Sequence, residues 1–285
     1  MGNNTILSRV FTQNTLASIL NDDFDSSMIE KVIRRYDISD DDIKSNAQVF
    51  SEIYCAMQKH YRNEYFYKNT ILNKLLINAH RLNTTVALTE IPIAKSKADF
   101  IMINGKAVVY EIKTALDTLD RLESQIADYY KAFDHVCVLG SESKKQELLS
   151  RFKDSRVGVY ILTSKDTISH VQEPEEYRDA LDIECLFKIL RKKEYESIVR
   201  KLRGSIPEVS PVKLYQQCKD IICSYTIETI YPLILEELKN RNRIEIVDYS
   251  SIPEALHFLI YFSKFRNKDI DRLIEFLKKQ YPGVD

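Results

Sequence analysis

Three charged side chains flank two apolar runs near the middle of the chain. Asp99 precedes the run Phe100–Ile103, while Glu111 and Lys113 follow the run Ala107–Tyr110. Charges are costly on buried strands, so two carboxylates and an ammonium group at this place need a reason. Carboxylate oxygens bind hard divalent cations, and a neighbouring lysine can steady a water molecule that attacks a phosphate. These three residues are therefore candidates for a metal-dependent hydrolytic site.

An Asn-Gly pair joins the two apolar runs and predicts a β-hairpin. A two-residue turn would place the two carboxylates on opposite faces of the sheet, because side chains alternate along a strand. A three-residue loop with Gly105 in the left-handed conformation would pair Met102 with Lys106 and bring all three charged side chains to one face. Asp99 and Glu111 would then be diagonal neighbours, roughly 7–8 Å apart at the backbone. We predict the second arrangement.

The pattern D-x11-E-x-K across a hairpin resembles the signature of the PD-(D/E)XK nuclease superfamily, whose fold is restriction-endonuclease-like. Two further patterns resemble those of a branch of small bacterial and phage proteins of that superfamily. The pattern D-x-L-x-R-L begins at Asp117, and Q-x-x-x-Y runs from Gln125 to Tyr129. Ala98 stands where the name-giving motif has a proline, which is often missing in the superfamily.

The resemblance implies an α/β fold with a restriction-endonuclease-like core in the order αβββαβ, a mixed central sheet flanked by helices. The sequence predicts these elements in chain order: a helix over 63–82, a strand over 86–91, the hairpin, a helix over 117–133, a strand over 135–140, a helix over 144–152 and a strand over 157–162. We predict three segments: a helical N-terminal extension at 1–60, the nuclease-like core at 61–165 and a helical C-terminal region at 178–285.

The resemblance also implies roles for individual residues. Asp99, Glu111 and the backbone carbonyl of Ile112 would hold one Mg²⁺ or Mn²⁺ ion. Lys113 would position the attacking water, and Glu64 would orient water or help to recruit a second ion. The implied reaction is metal-dependent hydrolysis of phosphodiester bonds, above all in DNA, in a phage or phage-defence context.

Each of these residues also has a purely structural interpretation. The hairpin charges would form an exposed cross-strand ion pair, and Glu64 would interact with the dipole at the start of its helix. Gln125 and Tyr129 lie one helical turn apart at the border of an apolar stripe, so they share a helix face. They either point into the site, where they would support its residues or contact phosphate, or simply pack. Asp117 and Asp120 are predicted to cap the N-terminus of the following helix.

Basic residues are concentrated in the segment 183–204. They are Lys188, Arg191, Lys192, Lys193, Arg200, Lys201 and Arg203. Such a run usually forms a solvated helix face, and the alternative is a nucleic-acid-binding flank that contacts phosphates. The net charge of −1 gives the whole chain no general attraction to nucleic acid, so binding would require this local concentration, a partner or a bound metal.

Composition sets broader limits. With 285 residues and 44% hydrophobic residues, the chain can bury the core of one elaborated domain or two small ones. No apolar run approaches the ~18 residues of a membrane span. Five cysteines without metal-finger spacing predict a reduced, cytoplasmic protein.

Partners and competing functions remain open at the level of sequence. The expected partners are nucleic acid, most of all DNA, and a protein partner or second copy bound through the helical extensions. Two other functions compete with a DNA nuclease. One is a catalytically silent nuclease-like fold that acts as a binding or regulatory module, and the other is an RNA-directed nuclease.

Overall fold

The chain divides into two compact units, one built from both of its ends and one from its middle. The terminal unit comprises Met1–Arg81 and Ile244–Asp285, and the central unit comprises Leu82–Arg243. The computed structural model describes residues 4–38, 43–79, 82–241 and 248–282. The boundaries of these units differ from those of the three predicted segments. Residues 61–81, predicted to belong to the nuclease-like core, group with the N-terminal helices, and the predicted C-terminal region is divided between the two units after residue 243.

Helices build the described part of the terminal unit, whereas the central unit combines strands with helices. The terminal unit begins with α1 (Ile6–Val10), α2 (Gln13–Leu20), α3 (Ser27–Tyr36), α4 (Asn46–His60) and α5 (Glu64–Ile71), which continues as a π-helix over Leu72–Ile77. The central unit contains β1 (Val86–Ile93), β2 (Ser96–Asn104), β3 (Lys106–Lys113), α6 (Leu122–Tyr129), β4 (His135–Ser141), α7 (Lys145–Phe152), β5 (Gly158–Leu162), β6 (Ile168–Gln172), α8 (Ile183–Lys188), α9 (Lys192–Arg203), α10 (Pro211–Cys223) and α11 (Ile227–Lys239). The terminal unit ends with α12 (His257–Tyr261) and α13 (Asn267–Lys278).

The six strands found among the described residues form one mixed sheet in the order β1-β2-β3-β4-β5-β6. Strands β1 to β3 are antiparallel, β3 to β5 are parallel, and β6 is antiparallel to β5. The predicted mixed α/β architecture, a central sheet with flanking helices, is therefore confirmed. Strand β6 was not predicted, because the polar Ser169 and His170 interrupt any apolar run there.

One face of the sheet forms the core of the central unit with the helices that follow it. Ile101, Val109 and Val138 belong to a buried cluster that includes Ile126 of α6 and Ile198 of α9. Every residue of β4 is buried, as expected for a strand inside a parallel part of a sheet. Burial of this apolar surface positions α6 against the strand ends that carry the candidate residues.

The β2–β3 hairpin has the predicted glycine conformation but a different register. Gly105 has φ +70°, so its predicted positive φ is confirmed. Met102 pairs with Val108 rather than with Lys106, so the predicted register was wrong by two residues. The reason is that the loop is centred on Gly105, between the paired Asn104 and Lys106, instead of ending at the glycine. A shift by two residues leaves every side chain on its predicted face.

Helix α6 begins later than predicted, and the two aspartates do not cap it. Its N-cap residue is Arg121, which makes no side-chain capping bond. Asp117 instead accepts hydrogen bonds from the backbone N–H and the hydroxyl of Thr114, both at 2.7 Å. The capping prediction for Asp117 and Asp120 was therefore wrong, because a tight turn after β3 takes up the residues that would have started the helix.

Asp128 of α6 holds the turn between β1 and β2. Its Oδ2 accepts hydrogen bonds from the Lys95 N–H at 3.2 Å and the Ser96 hydroxyl at 2.9 Å. Its Oδ1 accepts from Lys131 Nζ at 2.7 Å. The turn contains Ala94 at φ +52°, an unfavourable conformation for a residue with a Cβ. Asp128 therefore helps to hold a strained turn in place.

We expect Asp128→Ala to lower the free energy of unfolding by about 1–3 kcal/mol, because two turn donors lose a buried acceptor. Urea denaturation would measure the change. The control is Asp120→Ala, which removes an exposed carboxylate from the segment before α6 and should stay within about 0.5 kcal/mol. Equal effects of the two substitutions would contradict the role of Asp128.

The two segments of the terminal unit meet at their backbones. The N–H of Asn46 donates to the carbonyl of Lys279 at 2.9 Å, and the N–H of Tyr281 donates to the carbonyl of Lys44 at 2.7 Å. These bonds lie at the start of α4, where Ser45 and Gln48 form a capping box. Within the described ranges, none of the helices has the length and apolarity required to span a membrane.

Candidate functional site

Glu111 and Lys113 form a buried ion pair at the carboxyl end of β3. Their side chains point to the same side of the strand, because they are two residues apart. Lys113 Nζ lies 2.7 Å from Glu111 Oε1, and Glu111 is only 2% exposed. Strand β3 lies between β2 and β4, so this pair is not an exposed ion pair on a sheet edge.

Two residues of α6 complete a hydrogen-bond network around this pair. Gln125 Nε2 donates to Glu111 Oε1 at 2.6 Å, while Gln125 Oε1 accepts from Lys113 Nζ at 2.9 Å. Tyr129, one helical turn later, donates its hydroxyl to Glu111 Oε2 at 2.5 Å. Both oxygens of Glu111 therefore have protein donors, and the helix fixes the positions of both hairpin charges. We call Glu111, Lys113, Gln125 and Tyr129 the β3–α6 network.

The Tyr129 hydroxyl is a permanent donor. Burial raises the pKa of Tyr129 far above its usual range, and the negative charges of Glu111 and Asp99 raise it further. An unionised phenol beside a carboxylate can only donate its proton to it. Tyr129 therefore holds the Glu111 carboxylate in one orientation throughout the physiological pH range.

Asp99 lies where the β2–β3 ladder ends, on the same face as this network. The last pair of the ladder is Phe100 with Tyr110, and one further step in this register places Asp99 opposite Glu111. The predicted common face is therefore present, although the two carboxylates are direct rather than diagonal neighbours. Asp99 Oδ2 accepts a hydrogen bond from the Ile112 N–H at 2.8 Å. The role of the Ile112 carbonyl as a metal ligand stays a prediction.

Glu90 is a fourth charged residue at this place, and sequence reasoning missed it. It lies opposite Asp99 in the β1–β2 register, and carboxylate oxygens of the two residues lie within 4.8 Å of each other. Glu90 has φ +58° and forms an ion pair with Lys97. The hydroxyl of the preceding residue, Thr89, donates a hydrogen bond to the Asp99 carbonyl at 2.7 Å. A signal existed, since Glu90 is an acid within an apolar strand.

A family model described as bacteriophage P4 protein cII matches residues 57–260, which is more than half of the chain. The chain belongs to the bacteriophage P4 protein cII family. The match includes the whole of the central unit, and thus the hairpin and the β3–α6 network. No match was found among the curated proteins or among the solved structures.

In this member of the P4 cII family, Glu64 belongs to the terminal unit and is the first residue of α5. Its Oε1 lies 2.5 Å from Lys68 Nζ, one helical turn later. The N-cap residue is Asn63, whose side chain accepts the Phe66 N–H at 3.1 Å. These contacts agree with the helix-dipole interpretation of Glu64. Its role in a site stays a prediction.

The basic segment of this P4 cII-family chain forms α8, α9 and the link between them. All seven of the predicted nucleic-acid-binding residues are exposed: Lys188, Arg191, Lys192, Lys193, Arg200, Lys201 and Arg203. Lys201 forms ion pairs with Glu236 at 3.0 Å and Glu237 at 2.9 Å, so its charge is largely neutralised. Arg191, Lys192 and Lys193 surround the N-terminus of α9, where positive charges are unfavourable for the helix dipole. Binding of phosphates by this segment stays a prediction.

Proposed function

We propose that this P4 cII-family protein is a divalent-metal-dependent phosphodiester hydrolase that cleaves DNA in a phage context. The observation that carries the proposal is the β3–α6 network. It holds the Lys113 ammonium between Glu111 and Gln125, at the strand end where Asp99 lies. A restriction-endonuclease-like core is part of the proposal. The chain order α5, β1, β2, β3, α6, β4 agrees with the αβββαβ order that this fold requires.

Energetics support a functional reason for the buried charges. Taking a carboxylate and an ammonium out of water costs several kcal/mol per ion, and apolar residues of similar size are often at least as stabilising. The pair of Glu111 and Lys113 is nevertheless buried, and Gln125 of α6 donates a hydrogen bond to it. Strongly desolvated charges with specific partners are typical of catalytic sites.

The donor set suits Mg²⁺ or Mn²⁺. Both ions prefer carboxylate oxygens, which Asp99 and Glu111 supply on one face of the hairpin. Each carboxylate oxygen has two lone pairs, so Glu111 Oε2 can accept the Tyr129 hydrogen bond and still bind an ion. Asp99 and Glu111 would hold the ion, and a bound ion of this kind lowers the pKa of its water and neutralises charge on a phosphate.

The chain itself supplies the remaining chemistry. Lys113 would hold the attacking water and stabilise the negative charge that develops on the phosphate. Gln125 keeps Lys113 and Glu111 at a fixed separation, since its amide bonds both. Tyr129 fixes the second oxygen of Glu111. Preorganised donors of this kind need no rearrangement when the reaction occurs.

A cleavage panel tests the proposal. Plasmid, linear DNA, single-stranded DNA and RNA would be incubated with wild type in Mg²⁺, Mn²⁺ or EDTA. We expect DNA cleavage that EDTA abolishes. We expect Asp99→Asn to reduce cleavage by about 10²-fold or more, because a metal ligand contributes several kcal/mol to catalysis.

Calorimetry with Mn²⁺ should show weaker binding to Asp99→Asn. Asp120→Asn is the matched control, because it alters an exposed carboxylate in the segment between β3 and α6. Unchanged Mn²⁺ affinity in Asp99→Asn would refute the ligand assignment. Cleavage of RNA alone would redirect the proposal to an RNA-directed nuclease.

A binding or regulatory module is the second candidate. It is favoured by the fact that three protein donors already satisfy both oxygens of Glu111 without any metal. In that case the β3–α6 network would only stabilise the fold, and the protein would act through its helical regions. Absence of cleavage of all four substrates with either metal would favour this function.

A further inference from the structure

Helices α8 to α10 carry an excess of positive charge that the chain as a whole lacks. The range 183–223 has nine lysine and arginine residues against five aspartate and glutamate residues, whereas the net charge of the whole chain is −1. One of these acids, Glu194, is buried and paired with Arg241, so it does little to offset the positive charge at the surface. This part of the central unit therefore attracts anions.

Two apolar side chains of α10 are exposed on the same basic region. Val212 is 90% exposed and Tyr215 is 46% exposed. They lie three residues apart on the helix, so they share one face. Pro211 occupies the first position of α10, where its fixed φ favours helix formation, so this face begins in an ordered first turn. An apolar face open to solvent is thus presented beside positive charge.

The ring of Tyr215 rests on two buried aromatic rings. Its centroid lies 5.1 Å from that of Phe187 in α8 and 5.9 Å from that of Tyr195 in α9. Both contacts are edge-to-face, the arrangement that stabilises aromatic pairs beyond their buried area. Phe187 and Tyr195 are themselves buried. The Tyr215 ring is therefore held in place while almost half of it stays accessible to a ligand.

Positive side chains approach this ring from two helices. Lys219 follows Tyr215 by one turn of α10, and Arg191 and Lys192 precede Tyr195 by one turn at the start of α9. Residues one turn apart are neighbours on a helix surface. Lys219 is paired with a carboxylate of α8 at 2.9 Å, whereas Arg191 and Lys192 are exposed. We call Arg191, Lys192, Val212, Tyr215 and Lys219 the Tyr215 face.

The chemistry of the Tyr215 face suits one kind of partner. Lysine and arginine side chains bind phosphates, and exposed aromatic rings stack on bases whatever their sequence. Inside a duplex both faces of each base are covered by neighbouring bases, so stacking on a protein ring requires an unpaired base. A single strand supplies phosphates and free base faces together.

We propose that the Tyr215 face binds single-stranded DNA, with an unpaired base stacked on the Tyr215 ring and backbone phosphates beside the basic side chains. Val212 would contact the neighbouring base or sugar through its exposed apolar surface. The inference rests on the proposed function, because that function brings DNA to this protein, and it adds a surface that selects unpaired strands.

Binding of a fluorescein-labelled oligodeoxythymidine to the full chain tests the inference. Anisotropy would be followed in EDTA, so that no cleavage occurs, and at several NaCl concentrations. Tyr215→Leu keeps an apolar side chain on Phe187 and Tyr195 but removes the ring. We expect it to lower affinity for the single strand about 5- to 150-fold, the usual effect of losing one base–aromatic stack. Its affinity for duplex DNA should not change, and Tyr215→Phe should bind like wild type.

The salt dependence of binding separates phosphate contacts from stacking. Lys192→Gln should make the dependence of log K on log[NaCl] shallower by about 0.7, because one phosphate contact to a single strand is lost. Tyr215→Leu should leave this slope unchanged. Lys165→Gln is the matched control, since Lys165 is an exposed lysine between β5 and β6, and it should keep the wild-type affinity and slope.

A further variant keeps the test independent of packing at Tyr215. Val212→Asp changes a side chain that is almost fully exposed and places an acid in the first turn of α10, where it favours the helix dipole. The fold should therefore be kept. Affinity for the single strand should fall by about fivefold, the effect of one repulsion between unit charges at contact distance in water.

Several results would overturn the inference. They are a wild type that does not bind the oligonucleotide, a Tyr215→Leu variant with wild-type affinity for it, and an equal loss of affinity for single-stranded and duplex DNA. A dimer of wild type that Val212→Asp disrupts would instead assign the face to a second copy. Binding that depends on Tyr215 without cleavage of any DNA would refute the hydrolase alone, whereas cleavage without such binding would refute only this inference.

Discussion

Lys113→Ala is expected to lower the rate of DNA cleavage by roughly 10²–10³-fold, the usual effect of removing one preorganised group that stabilises transition-state charge. Metal affinity should change little, because lysine is not a ligand. Lys113→Arg should restore little activity, since the planar guanidinium does not fit a site shaped by Glu111 and Gln125 around a compact ammonium. Single-turnover cleavage rates and Mn²⁺ calorimetry would measure the two quantities.

Lys131→Ala is the matched control for this substitution. Lys131 is also paired with a carboxylate, Asp128 at 2.7 Å, but its side chain is 44% exposed and it lies outside the β3–α6 network. The control should cleave at the wild-type rate. Wild-type cleavage by Lys113→Ala would show that the proposed role of Lys113 is wrong, while a wild type without activity would favour the binding module.

Glu111→Ala should lower the free energy of unfolding by about 3–5 kcal/mol, because it leaves the Lys113 charge buried without its partner. The double variant Glu111→Leu with Lys113→Met should be destabilised much less, because both charges are then replaced by apolar groups of similar size. Tyr129 keeps an acceptor in that variant, since its hydroxyl also lies 3.0 Å from the Lys97 carbonyl. Urea denaturation at neutral pH would compare the variants.

The control for Glu111→Ala is Glu123→Ala on the exposed side of α6. Glu123 pairs with Arg151 at 2.8 Å near the surface, and such pairs contribute at most about 1 kcal/mol. A loss of stability in Glu111→Ala no larger than in this control would contradict the assignment of a buried, mutually dependent pair. Because Glu111→Ala is destabilising, the half-buried Asp99 gives the cleaner test of metal binding.

Local patterns were sufficient to predict the hairpin and most of the sheet. The apolar runs on both sides of Gly105 mark β2 and β3, and the short apolar run at 135–140 marks β4. Alternation along the strands, together with the predicted loop around a left-handed Gly105, placed the charged residues on one face, even though the register was wrong by two residues. The predicted start of α6 at residue 117 was wrong, because the turn formed by Thr114 and Asp117 competed with helix formation.

Tertiary contacts explain what the sequence could not predict. Glu90 could have been recognised as an acid within an apolar strand, but its position beside Asp99 depends on the β1–β2 register and on a strained φ of +58°, which the sequence does not encode. Gln125 and Tyr129 were recognised as neighbours on one helix face, but their bonds to Glu111 depend on how α6 packs on the sheet. The contact between Asn73 and His257 joins residues far apart in the chain, so it cannot be predicted from local periodicity.

The division of the terminal unit into two chain segments has a consequence for biosynthesis. A ribosome completes Leu82–Arg243 before it makes any residue of Ile244–Asp285. The hairpin, α6 and the ion pair of Glu111 are therefore available to fold while Asn69 and Asn73 still lack the carbonyl, N–H and imidazole groups that they bind in the finished protein. The terminal unit can therefore be completed only after the central unit has been synthesised. A nascent polypeptide halted before residue 244 would contain every residue of the β3–α6 network but would lack His257 and the contacts that it makes.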